Sequence, residues 1–170
     1  MENSKSKPHQ MPNGHLYELF LDELRDLLDA EKQILKGLKK LASYASRPDL
    51  KKAFEGHYTE TEGQIDRLKQ VFAHLDLAPR GKKCKAIAGL LAEADEIIEN
   101  FERSPILDAA LIMAAQKVEH YEIASYGCLV TFAQQMKCSE AEKLLTTTLN
   151  EEKAADKKLT KLAEAKINLA

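Results

Sequence analysis

The sequence predicts an all-α protein, a bundle of four long helices with one short helix in the middle connection. Three observations carry that prediction. Apolar residues recur at three- and four-residue intervals over stretches far longer than a strand. No segment alternates polar and apolar residues as a half-buried strand does. Glycine and proline are scarce, 7 and 5 in 170 residues, and they fall where the periodicity breaks.

The helices follow in order. After a polar leader at 1–13, a pattern begins near Asn13–His15 and runs through Tyr17, Phe20, Leu24, Leu27, Glu31, Ile34, Leu38 and Leu41. It stops at "SRPD", where Pro48 suits the first turn of a new helix. The second helix spans about 48–75 through Leu50, Phe54, His57, Thr61, Gln64, Leu68 and Val71, and "LDLAPRGKKC" ends it. A short amphipathic helix covers about 85–101, with Ile87, Leu90, Leu91, Ala94, Ile97 and Ile98. Ser104 and Pro105 then cap and start the third long helix, which reaches about Lys137. Its stripe is Leu111, Ala115, Val118, Glu122, Ser125, Leu129, Phe132 and Met136, with Ile112, Glu119 and Tyr126 alongside; Met113 and Met136 are expected in the core. Ser139 and Glu142 form a capping box opening the fourth, about 139–169. Tight turns join the first two long helices and the last two. The link between these hairpins, roughly 29 residues, is long enough to run back along the bundle. Residues 14–170 therefore make one domain.

Composition removes several classes of function. A formal charge of -2 gives no general attraction to nucleic acid or anionic membrane, and the basic run "RGKKCK" at 80–85 lacks interleaved aromatics. No apolar run approaches a membrane span, and "MENSKSKPHQMPNG" has no signal-peptide core. Cys84, Cys128 and Cys138 form no CxxC pair and read as free thiols, so a cytoplasmic protein is expected. There is no glycine-rich phosphate loop and no GxSxG.

Polar residues interrupt the apolar faces at a recurrent place. The approximate helix midpoints are 30, 61, 121 and 154; near them lie Glu31, then His57, Glu60 and Gln64, then Glu119 and Glu122, then Glu152 and Asp156. Midpoints of bundled helices meet at one level whatever their directions. Carboxylates at one buried level repel and are costly to desolvate unless neutralised. Two divalent or trivalent metal ions would neutralise them, and an oxygen-rich donor set suits iron or manganese. Bland readings stand beside these. Gln64 can hydrogen-bond within a core, Glu151 replaces Glu152 if the last helix is rotated, and His57 and Tyr126 are read as orienting or packing groups around the ligands. His120 lies off the stripe and is read as surface.

Four stretches, "LRDLLDAEKQILKGL" (24–38), "HYTETEGQIDRLKQVF" (57–72), "AAQKVEHYEIASYGCL" (114–129) and "LLTTTLNEEKAADKKLTKLA" (144–163), resemble the YciE/YciF family of ferritin-like bacterial stress proteins. The resemblance covers about 15–167 and implies a ferritin-like four-helix bundle, dimeric, with a metal position but no defined reaction. Ferritin-like proteins use one Glu from each of two helices and Glu-x-x-His from each of the other two. Glu31 matches the single Glu of the first helix, and Glu119 or Glu122 that of the third. On the remaining helices the pairs become Glu60 with Gln64 and Glu152 with Asp156, four residues apart and without His.

The expected function is a di-metal protein of the stress response, with O₂, peroxide, ferrous iron or another metal ion as substrate. Whether it is an enzyme stays open. The alternative is a non-catalytic helical module whose buried polar layer is metal-free and fixes register or partner choice. A homodimer is expected and a storage cage is not, since the chain ends at "KLAEAKINLA", shortly after the last helix.

Overall fold

The computed structural model describes residues 14–168. The leader at 1–13 lies outside the described residues. Helix α1 is Gly14–Tyr44, α2 Pro48–His74, α3 Lys85–Asn100, α4 Pro105–Gln135 and α5 Ser139–Leu162, continued by a π-helical turn at Ala163–Ile167. The four long helices are thus α1, α2, α4 and α5, and α3 is the short crossover helix. Among the described residues there is no strand, and no helix is long and apolar enough to cross a membrane.

The long helices form a ring in which α1 packs on α2 and α4, and α5 packs on α2 and α4. Pairs across the interfaces give the directions. Ser46, just past the end of α1, meets Asp108 at the start of α4, and Glu31 meets Tyr126 further along. Likewise Asp49 at the start of α2 meets Lys166 just past α5, while Arg67 meets Thr148. Every neighbouring pair so defined is antiparallel. The crossover helix α3 lies in the groove between α1 and α4 with Ile87, Ala94 and Ile98 buried. Gly37 permits that approach, because a Cβ there would sit 2.5 Å from Leu91 Cδ2. The apolar face of the crossover helix is largely spent on its own bundle.

Local chemistry explains the boundaries. The Ser104 hydroxyl accepts from the Leu107 N–H at 3.2 Å, and Pro105 opens α4. Lys137, with φ 58°, turns the chain sharply between α4 and α5. The expected capping box is not formed: Cys138 takes the N-cap position of α5 without a side-chain bond, and Glu142 accepts from Gln134 instead, at 2.9 Å. The turn before α2 is held from outside. Asp108, fully buried, accepts the Ser46 and Arg47 N–H groups at 2.7 and 3.1 Å and the Ser46 hydroxyl at 2.6 Å. Met136 is buried as expected, but Met113 is 49% exposed, since it faces outward from α4 together with Ile106.

Candidate metal centre

The polar interruptions do meet. Glu31 on α1, His57, Thr61 and Gln64 on α2, Glu119 and Glu122 on α4, and Glu152 on α5 are all buried in the middle of the bundle. One ligand atom from each of His57, Glu119, Glu122 and Glu152 falls within 4.8 Å of the others.

Each side chain has an identifiable setting. His57 Nδ1 donates to Glu60 Oε2 at 3.1 Å, which turns Nε2 inward. Nε2 lies 3.3 Å from Glu119 Oε1 and 3.5 Å from Glu152 Oε2, ion-pair distances without a well-aligned hydrogen bond. The Gln64 amide donates to Glu152 and, at 3.2 Å, to Glu151. The Tyr126 hydroxyl, itself fully buried, donates to Glu31 Oε1. Thr61 returns its hydroxyl to the His57 carbonyl at 3.0 Å, fixing the helix turn that carries the histidine.

What remains is a set of buried atoms with no hydrogen-bond partner: Glu31 Oε2, His57 Nε2, Gln64 Oε1, Glu119 Oε2, both oxygens of Glu122 and Glu152 Oε2. Native interiors satisfy nearly all their polar atoms, and a group left over calls for an explanation such as an ion. All seven here are potential donors to a metal, six oxygens and one imidazole nitrogen. That donor set fits a hard or borderline first-row ion such as manganese or iron.

Electrostatics agrees. Burial raises the Glu31 carboxyl from 4.5 to about 7, although the Tyr126 hydrogen bond opposes the shift. Burial, and then the charges of Glu152, Glu31 and Glu119, raise Glu122 well above the carboxylate range. Glu152 is raised well above it by burial and then by the neighbouring Glu119 carboxyl. For His57, burial opposes the charge, but Glu119 and Glu60 outweigh it and raise the imidazole well above its usual value. Without a cation this layer holds protons; a cation would replace them.

Two residues expected among the ligands are placed elsewhere. Glu60 is exposed, its side chain 52% accessible, and it meets the cluster only through His57. Asp156 faces outward beside α4, accepting from Gln116 at 3.0 Å with His120 at 3.3 Å. The physical reason is the helical register. The stripe 54, 57, 61, 64, 68 on α2 admits 57, 61 and 64 to the interior and excludes 60; on α5, 148, 152, 155 and 159 excludes 156. His57, expected to orient a ligand, therefore occupies the centre itself. Of the α4 alternatives, both Glu119 and Glu122 point inward. Glu151 is neither inward nor idle: it binds both arms of Arg67, one at 2.8 Å. Arg67 also donates to Thr148 at 2.7 Å, a link with no signal in the apolar stripe.

Comparison with known proteins places the chain in a family. A domain model described as a domain of unknown function, DUF892, matches residues 15–170. Protein YciF of Escherichia coli K12 is 50% identical over 152 residues, which is 89% of this chain and 92% of that protein. The crystal structure of the E. coli stress protein YciF superposes with a TM-score of 0.86 at 49% identity, covering 90% of this chain and 97% of the other. YcfI from Rhodopseudomonas palustris gives 0.84 at 41% identity, covering 94% and 97%. A Xanthomonas campestris protein, at 22% identity and a TM-score of 0.72 over 88% and 92%, shares the fold.

Proposed function

Because this chain belongs to the YciF (DUF892) family, we propose that it is a carboxylate–histidine metal protein holding two divalent ions, iron or manganese, at mid-bundle. The observation that carries this is the set of buried, unpartnered donor atoms at one level. Charge supports the number two. Glu31, Glu119, Glu122 and Glu152 bring four negative charges when ionised, and two divalent ions bring four positive ones. A single ion would leave the layer with two charges to cover by protons. His57, Glu119, Glu122 and Glu152 would hold one ion, and Glu31 and Gln64 would offer their unpartnered oxygens to the other.

An adjacent pair of such ions supplies Lewis acidity and electron transfer toward a small oxidant. The chain's own part is placement. Tyr126 holds its proton on Glu31, Glu60 fixes the imidazole of His57, and Gln64 orients Glu152. The E. coli relative is described as a stress protein, and on that likeness the function is assigned to the stress response, as handling of metal or reactive oxygen species in the cytoplasm. The assembly is proposed to be a homodimer.

A second reading has its own observation. Raised carboxyls, the Tyr126–Glu31 bond and the Gln64–Glu152 bond let protons alone neutralise part of the layer, as a metal-free structural module requires. One experiment separates the two. Protein purified without chelator is analysed for metal, then stripped and titrated with Mn²⁺ or Fe²⁺ while melting is followed. About two ions per chain and a raised Tm, both lost in His57→Ala, support the metal centre; a Tm indifferent to every divalent first-row ion leaves the module.

A further inference from the structure

A cavity of about 130 Å³ lies between α2 and α5 and joins the surface to the buried centre. At its inner end are His57 and Glu119, each more than nine-tenths buried and each carrying an unpartnered atom, Nε2 and Oε2. At its outer end are the exposed residues Glu60, Ala154 and Lys158. Small side chains leave the gap: Ala53 and Ala155 line it. The volume accommodates an ion with part of its water shell, and is well below the several hundred Å³ of ordinary organic-ligand pockets.

Charge at the mouth is specific. Glu60 presents one end to solvent and places Oε2 3.1 Å from His57 Nδ1, so a single carboxylate spans the distance from water to a centre histidine. Glu151, also at the rim, is already neutralised by Arg67. Lys158 supplies the opposing charge. Its Nζ lies 3.9 Å from where a Cβ on Gly56 would stand, which places the ammonium over α2 beside the opening.

We propose that this cavity is the port through which a partly hydrated divalent cation reaches the centre, with Glu60 as its first ligand and Lys158 as a charged flap that slows it. The inference rests on the metal reading above. It adds that cargo selection occurs at the α2–α5 seam and that the selected species is a cation. A neutral oxidant using the same gap would be indifferent to both rim charges.

The test uses stripped full-length protein and Co²⁺ alone, with uptake followed by stopped-flow absorption and Kd by competition with a chromophoric chelator. Glu60→Gln is expected to slow association about tenfold, the lower end of electrostatic steering effects, and Lys158→Ala to speed it several-fold. Ala154→Leu, which narrows the opening from an exposed position, slows it as well. In Lys158→Ala and Ala154→Leu Kd stays within about twofold, because rim groups act on the rate of association and a port changes release in step. In Glu60→Gln, which also alters the carboxylate bonded to His57, only the association rate is read. The amide oxygen in E60Q still accepts from His57 Nδ1, so the imidazole keeps its orientation. Opposite changes in association rate for the two charge variants, with Kd constant in Lys158→Ala, support the port. Wild-type rates in either variant, or a change confined to Kd, overturn it while leaving the metal centre intact. If the wild-type protein takes up no Co²⁺, the metal reading fails and the port with it.

Discussion

In Glu122→Gln the side chain keeps its shape and loses the ability to ionise, at a site where neither carboxylate oxygen has a hydrogen-bond partner. The consequence for the metal-free protein follows from linkage. Burial and the neighbouring carboxylates hold the folded Glu122 carboxyl well above its ordinary value of 4.5. As pH rises past that value the unfolded chain ionises this residue and the folded protein does not. The unfolded state therefore gains about 1.4 kcal/mol per pH unit until the folded carboxyl also ionises. By pH 7 the penalty is at most about 3.5 kcal/mol, and near pH 4.5 it vanishes. Glutamine removes it. For a domain of this size about 1 kcal/mol moves Tm by roughly 2–4 °C, so the stripped variant should melt above stripped wild type at pH 7, by at most about 7–14 °C. Near pH 4.5 the two should melt together.

With metal the sign inverts. The ion needs the ionised carboxylate, and a neutral amide binds it more weakly. A ligand at a hundredfold excess over Kd stabilises by about 2.7 kcal/mol, and a hundredfold weaker site forfeits nearly all of that. Calorimetric melts of both proteins at several pH values, with and without Mn²⁺, give the four numbers needed. A stabilisation that does not depend on pH, or a metal increment that the variant retains in full, would refute the reasoning. Glu99→Gln, on the outer side of the crossover helix, serves as the control and should change neither quantity.

Metal binding should release protons, since Glu31, Glu122, Glu152 and His57 all hold them above their ordinary ranges in the metal-free protein. Titration calorimetry in buffers of different ionisation heat should give at least one proton per ion near pH 6.5, and metal-free Tm should fall from pH 5 to pH 8. The sign is the same for both residue types: the raised acids lose stability as the unfolded chain ionises above 4.5, and the raised histidine loses it as pH climbs toward its folded value. Asp108→Ala strips two backbone N–H groups and a hydroxyl of their acceptor. Urea unfolding should show a loss of about 2–4 kcal/mol with metal content unchanged. Light scattering should report a dimer, and Met113→Asp, at an exposed apolar position one face with Ile106, should lower the particle mass if that face is the contact.

The fold was almost entirely legible, for physical reasons that the centre does not share. Long helices write their burial into a repeated interval, so the boundaries at Pro48, Lys85 and Pro105 could be read within a residue or two. The level of the polar layer could be read too, because helix midpoints must meet. Which residues enter the layer was less legible. Nearness to a helix midpoint admits Glu60 and Asp156 as readily as their neighbours, yet the stripe on α2 runs 57, 61, 64 and that on α5 runs 152, 155. The periodicity already favoured His57 over Glu60; the midpoint level alone does not tell them apart. Asp108 shows the opposite limit. It is as buried as Glu31, but its partners are backbone N–H groups of a turn 62 residues away in sequence, and no local pattern announces such a contact. Arg67 is similar, since its partners sit on α5.

A layer this costly survives because it is thin. On α1, Leu24 and Leu27 precede Glu31 and Ile34 and Leu38 follow it; on α2, Leu50 and Phe54 lie before the polar turn and Leu68 and Val71 after it. The same alternation holds on α5, with Leu145 and Leu149 on one side of Glu152 and Leu159 on the other. Each such side chain contributes about 1.5–3 kcal/mol when fully buried, so two or three of them offset the penalty worked out above for Glu122. The apolar layers on both sides then hold the bundle closed whether or not the centre is charged. The bundle is therefore expected to fold without metal, in contrast to small zinc domains that are unfolded without their ion. On the metal reading an ion would have to reach the centre of a folded protein, and buried leucine and phenylalanine lie above and below the site. The lateral seam between α2 and α5, where Ala53 and Ala155 replace larger side chains, is the side on which the structure leaves a way in.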